Sequence, residues 1–486
     1  MRAVLLVPVL LILLLGPAGT VSPAAAQAQG QVPPPSQAPP APARAPSLVT
    51  TNPFLGGVPV GTATSDALSL SILDAISRAL EHNLGVLMAE EGIGRARGTR
   101  WRALSGLLPT VSGRVSQTRQ QINLAAFGFP LPPGIPSLVG PFNLFDARVY
   151  LTQPVLDLHA LNDARAEAHN IAAAQFSYKS ARDLVVLVAA NAYLQALAAS
   201  SRADSARAQV QTAQALHTQA IDLRQNGIVA GIEVLRAEVQ LNTERQRATA
   251  AQNDFEKAKL QLAHIIGLPL GQSVILVDEL PEVPVPEMTL EQALDRAYQT
   301  RPDYQAAAER VRAAEAARAA IVGEALPSVH IDANYGDIGV SIPASHSTFS
   351  VAGAVNVPIF QGGRTRGRLL EADADLRDRR AQLEDLRATI YYDVRTAFLD
   401  LQASGEQLQV ATSARQLAAA QLTQARDRFA AGVTGNIEVV QAQEAVALAN
   451  QEYISALYLY NVSKAVLARG LGVAEELVRQ FLGGVR

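Results

Sequence analysis

Two glutamates stand at matched places behind glycine-containing turns. Glu233 follows Asn226-Gly227-Ile228-Val229-Ala230-Gly231-Ile232, and Glu438 follows Ala431-Gly432-Val433-Thr434-Gly435-Asn436-Ile437. Each falls where a helix should restart. A carboxylate in a first helical turn favours the positive end of the helix dipole, which by itself accounts for both residues. The chemistry open to them is electrostatic. The turn glycines permit the positive φ that a tight reversal demands.

Other reactive constellations are missing from the sequence. Seven histidines include no i, i+4 pair, so no helical zinc site is visible. Cysteine is absent, which removes disulfides, thiolate chemistry and lipid attachment at a cysteine. Gly92-Ile93-Gly94-Arg95-Ala96-Arg97-Gly98 has the wrong spacing for a nucleotide loop and sits in a helical stretch. No nucleophile elbow or lysine-bearing phosphate loop occurs. Asn461-Val462-Ser463 fits a glycosylation acceptor, but it lies in a heptad-patterned helix, where packing explains it. A net charge of −3 without a basic block gives no reason to expect nucleic acid. The sequence therefore reads as neither an enzyme nor a cofactor-binding protein.

The elements that carry the two glutamates are duplicated. Gly227 and Gly432 differ by 432 minus 227, or 205 residues, and the same offset pairs Tyr193 with Phe398 and Glu233 with Glu438. A repeat of this size is a duplicated half-molecule. Each half reads as helix, strand, loop, strand, very long helix, tight turn, helix. The opening helix of the first half is expected over Ile72 to Leu107, and both opening helices should end at Leu-Pro (Leu108-Pro109, Leu326-Pro327), because proline cannot continue a helix.

Four segments alternate apolar and polar residues. They carry Val111 and Val115; Phe145, Val149 and Leu151; Val329, Ile331 and Tyr335; and Phe349, Val351 and Val355. Alternation of this length marks strands with one apolar face. The lengths suit membrane-barrel strands of about 9–11 residues, although two hairpins on a soluble core would alternate too. Gln120 to Asn143 should form a long hairpin loop.

The following helices are extreme. No Pro or Gly interrupts Leu158 to Leu223, enough for on the order of 100 Å of helix. Thr365 to Phe429 matches it, with only Gly367 and Gly405 inside. Ala251, Phe255, Ala258, Leu262 and Ile265 step in heptad fashion, as do Ile390, Val394, Ala397 and Leu401, which predicts coiled-coil packing. Leu184 to Ser201 is uncharged and long enough for a membrane span. Its partner at the same offset holds Asp393, Arg395, Asp400 and Glu406, so a transmembrane helix is rejected.

The N-terminus reads as a cleaved signal peptide: Met1-Arg2, an apolar Ala3 to Leu15, and a small-residue site after Ala26. The expected organisation is signal peptide 1–26, disordered Pro/Ala-rich lead-in 27–64, first repeat 65–268 (hairpin about 109–154), linker 269–288, second repeat 289–473 (hairpin about 327–358) and C-terminal tail 474–486.

A four-stranded sheet has open edges, which lipid does not tolerate. Spanning a membrane would need several copies to close one barrel, and strand counting alone allows dimers, trimers or tetramers. The chain resembles the TolC-like outer-membrane efflux channels over about residues 65–475. The resemblance rests on the duplication, on Leu-Pro before each hairpin, on Gln153-Pro154-Val155 and Val357-Pro358-Ile359-Phe360-Gln361-Gly362-Gly363 after each, and on the two helix reversals. It implies an α+β membrane protein: a homotrimer with a twelve-stranded outer-membrane barrel, continued by a coiled-coil periplasmic barrel. It implies partnership with outer-membrane lipid, a periplasmic adaptor and an inner-membrane transporter.

It also implies an iris at the helix-turn-helix tips, with Asn226, Gly227, Gly231, Gly432 and Gly435 in adaptor-docking turns. Glu438 falls on the family's first acidic constriction position, and Gln441 on the second. Glu233 matches a residue of a polar interlock whose partners here are Phe429 and Thr434, so that interlock is altered. Three copies of Glu438 at a narrow mouth would draw cations. The function implied is a passive export duct for small molecules or proteins. The competing reading is a periplasmic coiled-coil scaffold or adaptor that forms no pore.

Overall fold

The computed structural model describes residues 52–128, 134, 136–283, 288–431, 433 and 435–482. The expected signal peptide, most of the lead-in, and the turn residues Gly432 and Thr434 lie outside them. Residues 52–60, expected to share the disordered lead-in, are instead strapped down. Val58 N–H donates to the His82 carbonyl at 2.8 Å, and Leu84 N–H to the Gly56 carbonyl at 3.0 Å. Glycine makes this possible: a Cβ on Gly57 would stand 2.5 Å from the Gly267 nitrogen.

The single opening helix expected over Ile72 to Leu107 is two helices, α1 (Ile72–His82) and α2 (Leu84–Ser105). The break is Asn83, fully buried with ψ 130°. Its Oδ1 accepts from Gly85 N–H at 2.9 Å, and its Nδ2 donates to the Phe54 carbonyl at 2.9 Å. One side chain thus caps α2 and ties it to the strap, satisfying helix-end groups that burial would otherwise leave unpaired. The second half breaks likewise, at Arg301, between α5 (Leu290–Thr300) and α6 (Pro302–Gly323). Pro302 occupies N1 of α6, where its missing N–H costs nothing. Capping boxes at Ser71/Asp74 and Thr289/Gln292 start α1 and α5.

Two short strands, β1 (Leu68–Leu70) and β4 (Val274–Leu276), pair in parallel. Four longer ones form one antiparallel sheet in the order β2 (Thr110–Asn123), β3 (Leu138–Leu156), β5 (Ser328–Gly339), β6 (Ser345–Asn356). The first hairpin loop is shorter than the expected Gln120 to Asn143, because β2 continues past an irregularity between Gln120 and Ile122. The register lines up all four alternating patterns. Val111, Leu151, Ala333 and Val351 share one cross-strand row, and Gly113, Val149, Tyr335 and Phe349 the next. The row between them holds Ser112, Tyr150, Asn334 and Ser350, and the row on the other side of Val111 holds Thr110, Thr152, Asp332 and Ala352. Over these rows one face is apolar and the other mainly polar, since successive side chains alternate; one row farther from the helices Asp337 and Ser347 join Val115 and Ala147 on the apolar side. Among the described residues nothing covers the apolar face: Phe349 is 77% and Val351 69% exposed. β2 and β6 each keep one unpaired edge.

The long helices are α3 (Leu158–Gln225, 68 residues) and α7 (Arg364–Ala430, 67 residues). Each reverses into a helix of 35 residues, α4 (Gly231–Ile265) and α8 (Asn436–Gly470). Near the sheet the packed neighbours run α2–α3–α6–α7; farther away they run α4–α3–α8–α7. The long helices thus pass through both levels while their partners change. The main core sits where these levels meet, around Val185, Val186, Ala189, Tyr193 and Leu194 of α3, all fully buried. Of the two heptad sets expected from the sequence, Ala258, Leu262, Ile265, Ile390, Val394 and Ala397 are buried there, and Phe255 and Leu401 pack against them half-buried. The uncharged stretch of α3 is covered by protein: α1, α5 and α9 (Ala474–Leu482) join the same cluster.

Polar residues pin this core. The Tyr193 hydroxyl lies between two acceptors, the Leu70 carbonyl (2.8 Å) and Asp278 Oδ2 (2.9 Å), and Ile72 N–H donates to the same carboxylate oxygen at 2.7 Å. Arg301 reaches Asp303 at 2.6 Å and Asp393 at 3.1 Å. A buried charge needs such partners to be tolerated.

Candidate functional site

The far ends of the helix pairs hold the residues singled out in the sequence. At the first tip, α3 closes with a Schellman turn: Ile228 N–H donates to the Leu223 carbonyl at 2.9 Å, and Gly227 adopts φ +72°. Asn226 Nδ2 donates to the Asp222 carbonyl at 2.9 Å. Gly231 opens α4 beneath the Arg224 guanidinium, which a Cβ would meet at 3.5 Å. At the second tip Val433 N–H donates to the Arg428 carbonyl at 3.0 Å, and Gly435 caps α8.

Both glutamates sit in first turns, and each has an arginine. Glu233 Oε1 accepts from Arg236 Nη1 at 2.7 Å, one turn along α4, while its Oε2 is buried without a hydrogen bond. Glu438 Oε1 accepts from Arg428 Nη1 at 2.8 Å, across the reversal from α7. Gln441 is exposed on α8. Phe429 is not at the surface of the tip. It is buried with Leu216, Leu422, Ala425, Val439 and Ala442, locking α3, α7 and α8 together. The pairing of Glu233 with positions 429 and 434 therefore fails within the chain at Phe429, whose ring belongs to the core, and Thr434 lies outside the described residues.

The sequence reading missed the two arginines. Arg236 was accessible to it, since i, i+3 neighbours meet on a helix. Arg428 was not, because its contact depends on how the turn folds back. Their effect is to neutralise the glutamates: each tip presents a carboxylate–guanidinium pair where a bare carboxylate was expected.

Away from the tips, two titratable groups are shifted by burial. The Lys464 ammonium is buried on α8, which lowers it to about 8. Nζ donates to the Val283 carbonyl at 2.5 Å and to Asn461 Oδ1 at 3.0 Å, fastening the 281–283 segment to the helix. Burial, with Glu475 nearby, raises the Asp183 carboxyl to about 6. Both sit in the packed core region, and neither is paired with a nucleophile. No His/Asp/Glu grouping among the described residues could hold a metal ion.

A family model for outer membrane efflux proteins matches residues 75–268 and 293–473. The chain belongs to the outer membrane efflux protein family. It is 22% identical over 355 residues to the outer membrane protein TolC of Escherichia coli, spanning 69% of this chain and 70% of that protein. It is 23% identical over 411 residues to the toluene efflux pump outer membrane protein TtgF of Pseudomonas putida, 82% of each chain. The fold matches the crystal structure of the Campylobacter jejuni CmeC outer membrane channel with a TM-score of 0.72, at 17% identity, over 87% of this chain and 92% of that one. The architecture of α helices joined to a small β sheet is thus that of TolC-like channels.

Proposed function

We propose that this chain is the passive outer-membrane duct of a tripartite efflux complex. The observation that carries the reading is the sheet: an uncovered apolar face, a polar face behind it, and two open edges, joined to helices of 68 and 67 residues. Unpaired backbone groups cannot remain in hydrocarbon. Closure of β2 of one copy on β6 of the next removes both edges. Three copies give a twelve-stranded barrel, the stoichiometry that the family resemblance favours, with the polar rows facing its lumen. The α3/α4 and α7/α8 pairs then form the periplasmic tunnel.

In this reading the tips close the tunnel, and Glu438 with Gln441 faces the constriction. Asn226, Gly227, Gly231 and Gly435 shape turns whose exposed apolar neighbours, Ile228 and Val433, suit docking by a periplasmic adaptor; Gly432, expected in the same turn, lies outside the described residues. An inner-membrane transporter supplies the cargo, small toxic molecules or proteins, and chooses it. A signal peptide delivers the chain, and lipid attachment at a cysteine is impossible because there is none. A scaffold that never enters a membrane would leave the apolar face in water, which disfavours that alternative.

The test is single-channel recording of detergent-purified protein in a planar bilayer, wild type against Glu438→Gln. Discrete openings with weakened cation preference in the variant support both duct and mouth. Openings that Glu438→Gln leaves unchanged keep the duct and remove Glu438 from its filter. Absence of channels from folded, reconstituted protein refutes the duct.

A further inference from the structure

We propose that arginines at the helix-side border of the sheet form a binding site for anionic phospholipid headgroups at each seam between neighbouring copies. The inference rests on the duct reading above. Its starting point is a charge asymmetry. No Asp or Glu occurs from Gly92 to Phe145, or from Ile338 to Leu370. Those two stretches hold the two open-edge strands and the helix ends attached to them. The inner strands differ: β3 and β5 join helices at Asp157, Asp163 and Glu324.

The antiparallel order places every helix-joined strand end, Thr110, Leu156, Ser328 and Asn356, on one border of the sheet. α2 delivers the chain into β2, and β6 delivers it into α7. Arg100 and Arg102 lie in the last turns of α2, and Arg364 and Arg366 in the first turn of α7. All four are exposed. Among the described residues none of them forms an ion pair; Arg364 only donates to Gln361 Oε1, at 3.0 Å. Arg368, by contrast, is already committed to Glu324. The start of α7 adds the same sign, since Gly363 offers no side-chain cap to the helix N-terminus.

Closing β2 of one copy on β6 of the next brings these groups together. Each seam then collects four guanidiniums, two from each copy, with no carboxylate to balance them. Like charges at such range repel, so the cluster needs a counter-ion. The border coincides with the end of the apolar face, where a leaflet's phosphates would lie. Guanidinium forks match phosphate oxygens. Large apolar residues flank the arginines and project from the chain: Ile359 is 93%, Phe360 88% and Trp101 67% exposed. An amphipathic ring such as that of Trp101 settles at membrane interfaces. Basic residues near an anionic surface each strengthen lipid association by about fivefold.

Trp101 is the only tryptophan in the chain, which makes it a reporter of this border. The full chain is reconstituted into vesicles of phosphatidylcholine with a minor share of phosphatidylglycerol. One lipid at a time carries bromine near the headgroup end of its acyl chains, and Trp101 quenching is read. Wild type should be quenched more strongly by the glycerol lipid than its share of the bilayer predicts. Arg100→Gln/Arg366→Gln should lose that preference, and the charge-keeping Arg100→Lys/Arg366→Lys should retain most of it. Equal quenching by both lipids in wild type, or a preference that survives the glutamine variant, overturns the site. Conductance of the same preparation separates the two levels. A conducting protein with unquenched Trp101 overturns the headgroup site alone; failure of both refutes the duct reading as well.

Discussion

Alkaline pH should strengthen this fold through Lys464. Its ammonium is buried on α8 against the Val283 carbonyl, Asn461 Oδ1 and the Tyr460 ring, whose centroid is 4.3 Å away. Burial disfavours the charged form and lowers the group from its ordinary 10.5 to about 8. In the unfolded chain Lys464 holds its proton up to about 10.5, so between these values the unfolded state binds the extra proton and stability rises with pH. Below about 8 both states are protonated and the cost of the buried charge is constant. The separation of about 2.5 pH units between folded and unfolded values corresponds to about 3 kcal/mol, most of it reached by pH 10. Other groups titrate in the same window, and burial keeps Tyr193 neutral with the opposite sign. The measurement is therefore a difference. Guanidinium unfolding in detergent, followed by far-ultraviolet circular dichroism, is compared for wild type and Lys464→Met across pH 7 to 10. Wild type should gain about 2–3 kcal/mol relative to the variant. A gap that does not change with pH refutes the argument and means that the two acceptors hold the charge without penalty.

Arg428→Gln and Glu438→Gln should shift ion preference in opposite directions, toward cations and toward anions, because each residue neutralises the other at the second tip. The pair is exposed and contributes under about 1 kcal/mol, so melting temperatures should hardly move; shifts of the same sign in reversal potential would refute the pairing. Phe429→Ala empties the buried site between α3, α7 and α8 and should cost about 3–5 kcal/mol locally, seen as faster amide exchange over residues 420–442 with the central core unaffected. Gly267→Ala places a Cβ 2.6 Å from the Val58 carbonyl oxygen at φ +64°. Clash and strain together should exceed about 1 kcal/mol, and unchanged proteolytic stability of the strap at residues 52–60 would contradict this.

Much of the tips was legible in the sequence, though not what the residues there do. Gly227 and Gly231 announce a reversal, and the reversal is there. Phe429 could be matched to a family position but not assigned to the core, since its burial depends on Val439 and Ala442 returning from the other side of the turn. Arg428 reaches Glu438 for the same reason. The break at Asn83 was missed because a buried asparagine that caps one helix and ends another looks, in sequence, like any polar residue within a helical period. At Arg301 the following Pro302 was the available signal.

The sequence by itself determined the elements. Alternation specified four strands with an apolar face, because side chains on a strand alternate sides whatever surrounds them. The lack of Pro or Gly through α3 specified its length, and the duplicated pattern predicted the same for α7. Tertiary structure decided what periodicity cannot encode. It set the register that aligns four apolar patterns into one uncovered face, and the change of partners along α3 from α2 and α6 to α4 and α8. It also set the pairing of Glu438 with Arg428 across the second reversal. Those features depend on which surfaces meet after the chain turns back, and contacts between residues distant in sequence are fixed only when the core that joins them has packed.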